Sequence, residues 1–135
     1  MTDFWRFSQL IFNGSEFEGK RYLKASTVEL MHTQTLEVGV KLQMFRRPLN
    51  GLGFGLGFAI VQDSVVAKTA MEVGSYFWAG LYGTWFWIDP ANELVVVGLI
   101  NNVNGQLPAG TPSLRELSAE SVYRTVGKVD NPQST

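Results

Sequence analysis

Cysteine is absent from the 135-residue chain, which removes disulfide frameworks, thiolate nucleophiles and cysteine-based metal sites together and leaves the redox compartment open. Histidine occurs once, at His32. A histidine metal site or a Ser-His-Asp triad would have to use it, yet it has no ligand partner near it in sequence, and no G-x-S-x-G elbow exists. His32 therefore reads as a solvated helix terminus, and neither a metal nor a cofactor is expected. Charge of either sign is scarce: 11 Lys and Arg oppose 12 Asp and Glu, and no basic residue lies between Lys68 and Arg115. Without a basic footprint, nucleic acid and anionic membrane are not expected partners. Long apolar runs are also missing. The longest, Val73 to Ile88, is shorter than the roughly 18 residues of a membrane span and is broken by three glycines. The first residues, Met1 to Arg6, lack the basic, apolar and small-residue succession of a signal peptide.

What the chain has in quantity is aromatic side chains beside glycine. Gly74 to Pro90 gathers Tyr76, Phe77, Trp78, Tyr82, Trp85, Phe86 and Trp87 around Gly80 and Gly83. Aromatic residues favour a pleated, half-buried surface, and glycine admits a close neighbour, so the stretch reads as one central strand. Asp89-Pro90-Ala91-Asn92 reads as a turn, and Glu93 to Ile100, apolar and β-branched, as the antiparallel strand that returns from it.

In chain order, Thr2 or Asp3 can cap a helix with Phe4, Phe7, Leu10 and Ile11 at helical spacing, stopped by Asn13-Gly14. Ser26 and Glu29 have capping-box spacing before a second helix with Val28, Leu30 and Met31 on its apolar side. Thr33 to Asn50 is mixed, with strand-like alternation at Leu36, Val38 and Val40 before an Arg46-Arg47-Pro48 breaker. Gly51, Gly53, Gly55 and Gly57 alternate with Leu52, Phe54, Leu56 and Phe58. Strand periodicity puts the glycines on one face, and the spacing matches no phosphate-binding loop. Ala59 to Val61 continues that strand. Asn101 to Gly110 reads as a loop, and Thr111-Pro112 starts a last helix with Leu114, Leu117, Val122 and Val126 on its apolar side, ended by Gly127.

The expected fold is a single α+β domain, a three-stranded antiparallel sheet with two N-terminal helices and one C-terminal helix. Residues 1–50 form the helical part, 51–127 the strands and last helix, and 128–135 a tail. Leu94 to Val97 has no polar alternation, so the sheet should be covered on both faces, one by the last helix and the other by the first two helices or by protein outside this chain.

The carboxylates Glu16, Glu18, Asp63 and Glu72 fall in or near expected loops and turns, with no spacing that pairs them for acid-base work. The aromatic strand admits two readings, core or interface packing and a stacking site. A site would sit at Trp78 to Leu81, where the small residues Ala79 and Gly80 let a substrate approach main-chain amides able to stabilise an oxyanion.

Four segments in order carry a resemblance. Asp3-Phe4-Trp5-Arg6-Phe7-Ser8-Gln9-Leu10-Ile11-Phe12-Asn13-Gly14, then Leu23 to Met31 ending Thr27-Val28-Glu29-Leu30-Met31, then Gly53 to Phe58, then Trp78-Ala79-Gly80 followed by Gly83-Thr84 and Asp89-Pro90, resemble the C-terminal part of the serine β-lactamase-like hydrolases. That superfamily includes class C β-lactamases, esterases and penicillin-binding proteins. The resemblance implies a β-lactamase/transpeptidase-like fold and acyl-enzyme chemistry on a small ester or amide. It puts Trp78-Ala79-Gly80 at the position of the third motif, with Trp78 lining the pocket, Tyr76 and Tyr82 near the substrate, and the Leu81 N–H at the oxyanion hole. Ala79 and Leu81 depart from the smaller residues usual there.

The resemblance also implies a Ser-x-x-Lys nucleophile and a Tyr-x-Asn motif, and this chain has neither: no serine is followed three residues on by lysine, and no tyrosine two residues on by asparagine. A serine without an adjacent base is a weak nucleophile. No catalytic residue is therefore assigned to this chain, and it is expected to be inactive alone. The expected partner is a missing N-terminal catalytic half, or a second copy, joined through the unpaired edge of the Leu94 to Ile100 strand. The competing expectation is a non-catalytic module that binds a small apolar ligand or a protein through its aromatic strand.

Overall fold

A strand of 17 residues, Gly74 to Pro90, would run to about 55 Å, about three times the usual strand length. In a computed structural model that describes residues 1–44, 47–102 and 111–127, this stretch instead folds back on itself. So does the glycine-alternating run before it, and the expected three strands are five. Leu52–Phe54 (β5) and Ala59–Val61 (β6) form one hairpin, and Tyr76–Ala79 (β7) and Trp85–Asp89 (β8) another. Leu94–Gly98 (β9) returns from the Asp89-Pro90 turn with Asp89 opposite Leu94. The strands form an antiparallel meander in the order β5-β6-β7-β8-β9. Glu16–Phe17 (β1) with Lys20–Arg21 (β2), and Gln43–Met44 (β3) with Arg47–Pro48 (β4), make two separate two-stranded ribbons.

The break in the first run follows from contact with the helix before it. A side chain at Gly55 would lie 2.7 Å from the Met31 carbonyl carbon and 2.9 Å from the Thr33 oxygen, so only glycine lets the end of Ala25–Met31 (α2) rest on the turn. The chain leaving α2 then covers the outer edge of β5. Gln34 Oε1 accepts from Phe54 N at 2.7 Å, and Thr35 N donates to Phe54 O at 3.0 Å. Between β7 and β8, Leu81-Tyr82-Gly83 is a three-residue loop closed by Gly83 at φ +84°, the left-handed position that such hairpin loops require.

Both faces of the sheet are covered. On one, Ile60, Tyr76, Phe86 and Ile88 pack with Ile11 of Thr2–Phe12 (α1) and Val28 of α2. On the other, Ala59, Val61, Phe77, Trp85 and Trp87 pack with Met71, which follows the short helix Ser64–Ala67 (α3), and with Ala119 and Tyr123 of Leu114–Thr125 (α4). The first two helices are thus the second cover.

Three expectations at the helices change. α1 starts at Thr2 with no side-chain cap. α2 starts at Ala25, which puts Ser26 inside the first turn, so Ser26 and Glu29 form no capping box. α4 begins after Ser113 rather than at Thr111, because Ser113 and Glu116 make a reciprocal capping box, Ser113 Oγ accepting from Glu116 N and Glu116 Oε2 from Ser113 N. Its inner face is Arg115, Ala119 and Tyr123, with Val122 packed against it as expected, while Leu114, Leu117 and Val126 are exposed. The small Ala119 allows close approach, and the Tyr123 hydroxyl finds a buried acceptor. Arg46, most of the 101–110 loop and the 128–135 tail lie outside the described residues.

Candidate functional site

The chain reverses where β7 runs out of pleat. Gly80 N donates to Thr84 O at 2.8 Å and Gly83 N to Gly80 O at 3.1 Å. Asn102 N, after β9, donates to Tyr82 O at 2.9 Å, so the loop is propped from the next strand. A side chain at Gly80 would meet Thr84 Oγ1 at 2.5 Å. The loop is therefore small, fixed and open on one side. Beside it lies a groove of about 250 Å³ whose walls include Phe4 of α1, Trp78, Gly80, Thr84, Phe86 and Leu99.

Of the residues singled out from sequence, Trp78, Ala79 and Gly80 line this groove. Trp78 is held edge-to-face on Phe54, with ring centroids 5.1 Å apart. Leu81 follows on the loop, 53 % exposed, and among the described residues its amide has no hydrogen-bond acceptor. Tyr82 is exposed on the same loop but does not line the groove. Tyr76 is elsewhere. It is 1 % exposed, stacked on His32 with centroids 4.4 Å apart and planes 9° from parallel, and packed on Phe58. Strand alternation turns it onto the α1/α2 face of the sheet, in the core. Burial pushes its phenol pKa up.

His32 is correspondingly not a solvated terminus. It caps the end of α2 against Tyr76, and desolvation holds its pKa below the usual 6.5, outweighing the opposing pull of its own backbone hydrogen bond and of Glu29. Among the described residues no three His, Asp or Glu side chains gather as a metal site, and no helix is long and apolar enough to cross a membrane.

Asp89 is a fully buried carboxylate. Its Oδ2 accepts from Tyr123 Oη and from Asn92 Nδ2 at 2.7 Å, and its Oδ1 accepts from Asn92 N at 3.1 Å. The buried Ser75 hydroxyl adjoins Tyr123 without an aligned hydrogen bond. These contacts tie the β8 turn to α4, and none faces the groove. No serine hydroxyl among the described residues is hydrogen-bonded to a lysine or histidine. Ser8 and Ser118 donate to carbonyls of their own helices, and Ser15 accepts from Leu23 N.

Phe4, Thr84, Trp85, Phe86 and Leu99 line the groove but were not singled out for it from sequence, and Phe4 is the one that comes from outside the aromatic strands and their return. Helical spacing assigned it to the core with Ile11, and the spacing is the same whether such a residue covers a sheet or reaches past its end.

An antiparallel sheet between two helical layers is the α+β arrangement the resemblance implied, and comparison with known proteins agrees on the superfamily. The family model described as Beta-lactamase matches residues 18–119. The chain belongs to the β-lactamase family, within the β-lactamase-like serine hydrolase superfamily. It is 31 % identical over 142 aligned positions to two Mycobacterium tuberculosis proteins, the uncharacterized protein MT1414 and protein Rv1367c, covering 93 % of this chain and 35 % of each. The chain thus spans about a third of the length of these relatives. Among solved structures it resembles EstCE1, described as a hydrolase with promiscuous acyltransferase activity, at a TM-score of 0.60 and 25 % identity, over 76 % of this chain and 25 % of that one.

Proposed function

We propose that this chain supplies the third-motif strand and the oxyanion amide of a serine hydrolase acting on an ester or amide by acyl transfer, and that Ser-x-x-Lys and Tyr-x-Asn come from another polypeptide segment. The observation that carries this reading is the end of β7. Trp78-Ala79-Gly80 lines a groove, and the next residue, Leu81, is exposed on the loop and has an N–H with no hydrogen-bond acceptor among the described residues. A fixed main-chain donor at the edge of an apolar site is what stabilises a tetrahedral oxyanion. The hydrolase description of EstCE1 supports the same chemistry. No serine of this chain is followed three residues on by lysine, and a serine without an adjacent base is a weak nucleophile, so on this reading the chain is inactive by itself. Its partner reaches it along β9, whose outer edge no strand pairs among the described residues. Such an edge is a template for another strand, either from the segment with the nucleophile or from a second copy.

The test is Leu81→Pro, which removes the N–H, in an assembly of this chain with a Ser-x-x-Lys segment from the family. Loss of one oxyanion donor lowers kcat by about 10²–10³-fold, while KM for a small ester changes little. Full activity in Leu81→Pro would remove the oxyanion role.

A second reading is a binding module without turnover. It is favoured by the groove itself, because among the described residues no charged side chain lines it. Saturable binding of an apolar ligand, with no hydrolysis by any assembly containing the chain, would select it.

A further inference from the structure

The groove beside Gly80 is walled by elements far apart in sequence, and its outermost wall comes from the first turn of α1. Phe4 stands edge-on to Phe86, with centroids 5.2 Å apart, and tilted on Phe7 at 5.7 Å. It is held from two sides yet remains 39 % exposed. It is also one of the residues that line the groove. Trp78, Trp85, Phe86 and Leu99 supply further aromatic and aliphatic surface, and Thr84 brings a hydroxyl.

Two properties of this enclosure select a ligand. The first is charge. Among the described residues no Lys, Arg, His, Asp or Glu contributes to the walls, so a carboxylate or ammonium entering the groove would give up water with no charged partner there to replace it. The second is volume. An apolar cavity of about 150 Å³ binds benzene. The groove, at about 250 Å³, suits a fused two-ring aromatic.

We infer that Phe4 sets the specificity of this groove, closing one side of it around an uncharged apolar group of about naphthyl size. The inference rests on the hydrolase reading only in taking that group as the acyl or aryl part of an ester. The binding selectivity stands on the groove alone.

The experiment uses the chain as it is, titrated with 1-naphthalenemethanol and with 1-naphthoate, which match in size and differ in charge, and followed by calorimetry and tryptophan fluorescence. The neutral probe binds at one site, at least tenfold tighter than the carboxylate. Phe4→Ala weakens it about tenfold, as expected for losing one aromatic wall. Phe17→Ala, in the separate cleft between α1 and the β1-β2 ribbon, leaves it unchanged. Phe4→Trp, which keeps the helix packed and narrows the groove, shifts preference from naphthalenemethanol to benzyl alcohol. Circular dichroism checks that each variant is folded. Equal affinity for the two naphthyl probes, no saturable binding, wild-type binding by a folded Phe4→Ala or unchanged preference in Phe4→Trp overturns the inference. Because none of these readouts involves turnover, they separate it from the oxyanion role tested by Leu81→Pro.

Discussion

The hydroxyl of Tyr123 on α4 donates to the carboxylate of Asp89 at the end of β8, 2.5 Å away, and both residues are completely shielded from solvent. The two are 34 residues apart, so the bond fastens the last helix to the turn that ends the aromatic strand. A buried hydrogen bond to a carboxylate is worth about 1.5–3 kcal/mol, and removing the donor leaves Asp89 short of a partner. Tyr123→Phe therefore lowers unfolding free energy by about that amount, measured by urea denaturation, without changing the affinity of the groove for 1-naphthalenemethanol.

The same tyrosine makes stability fall in alkali. Burial, and secondarily the bond to Asp89, raises its pKa above the usual 10, and burial does the same to Tyr76. The folded chain then holds protons that the unfolded chain releases above pH 10, so the contribution is complete below pH 10 and is lost progressively above it. Denaturation midpoints measured from pH 8 to 11 fall above 10, and Tyr123→Phe flattens that slope.

His32 gives the opposite dependence. Its pKa is depressed below 6.5, chiefly by desolvation against Tyr76. Its contribution to stability is present above pH 6.5 and is lost as pH falls through the depressed folded value. As the only histidine, it gives one imidazole signal in a proton spectrum. That signal titrates below 6.5 in the folded chain and returns to about 6.5 in urea.

Two glycines are fixed by what lies over them. Gly98 on β9 faces Trp85 on β8, and the indole occupies the space a Cβ would need. Gly55 faces the backbone at the end of α2. Overpacking at such sites costs about 1–3 kcal/mol. Gly55→Ala falls in the upper part of that range because its obstacle is main chain. Gly98→Ala displaces an indole and shows as a change in near-ultraviolet circular dichroism.

The turns and helix stops that the sequence marks chemically were the legible part of this fold, whereas its helix-start signals were not. Asn13-Gly14 ends α1, Asp89 bonds its own turn through Asn92, and Leu94–Gly98 returns as expected. The misses in the strands and on the helix faces share one cause. Periodicity assigns a residue to a face but does not say where a strand folds back or what the face meets. Gly80-Leu81-Tyr82-Gly83 looks like strand interior until the length of the run is compared with that of a domain. On α4, counting aliphatic residues selected Leu114 and Leu117, while the sheet accepted Ala119 for its small size and Tyr123 for its hydroxyl. At the candidate site, the glycine-bounded end of the aromatic strand could be read from composition. Phe4 could not, because its place in the groove depends on how α1 lies across β8 and β9.

The central claim is that this chain carries one wall of an acyl-transfer site and no activated nucleophile. It is tested most directly by the intact mass of the purified chain after exposure to excess fluorophosphonate, which reacts covalently with activated serines. The account predicts an unmodified mass, because no serine here has a lysine three residues on or a base within hydrogen-bond reach among the described residues. A stoichiometric adduct on a single serine would contradict it and would place a complete catalytic centre within these 135 residues.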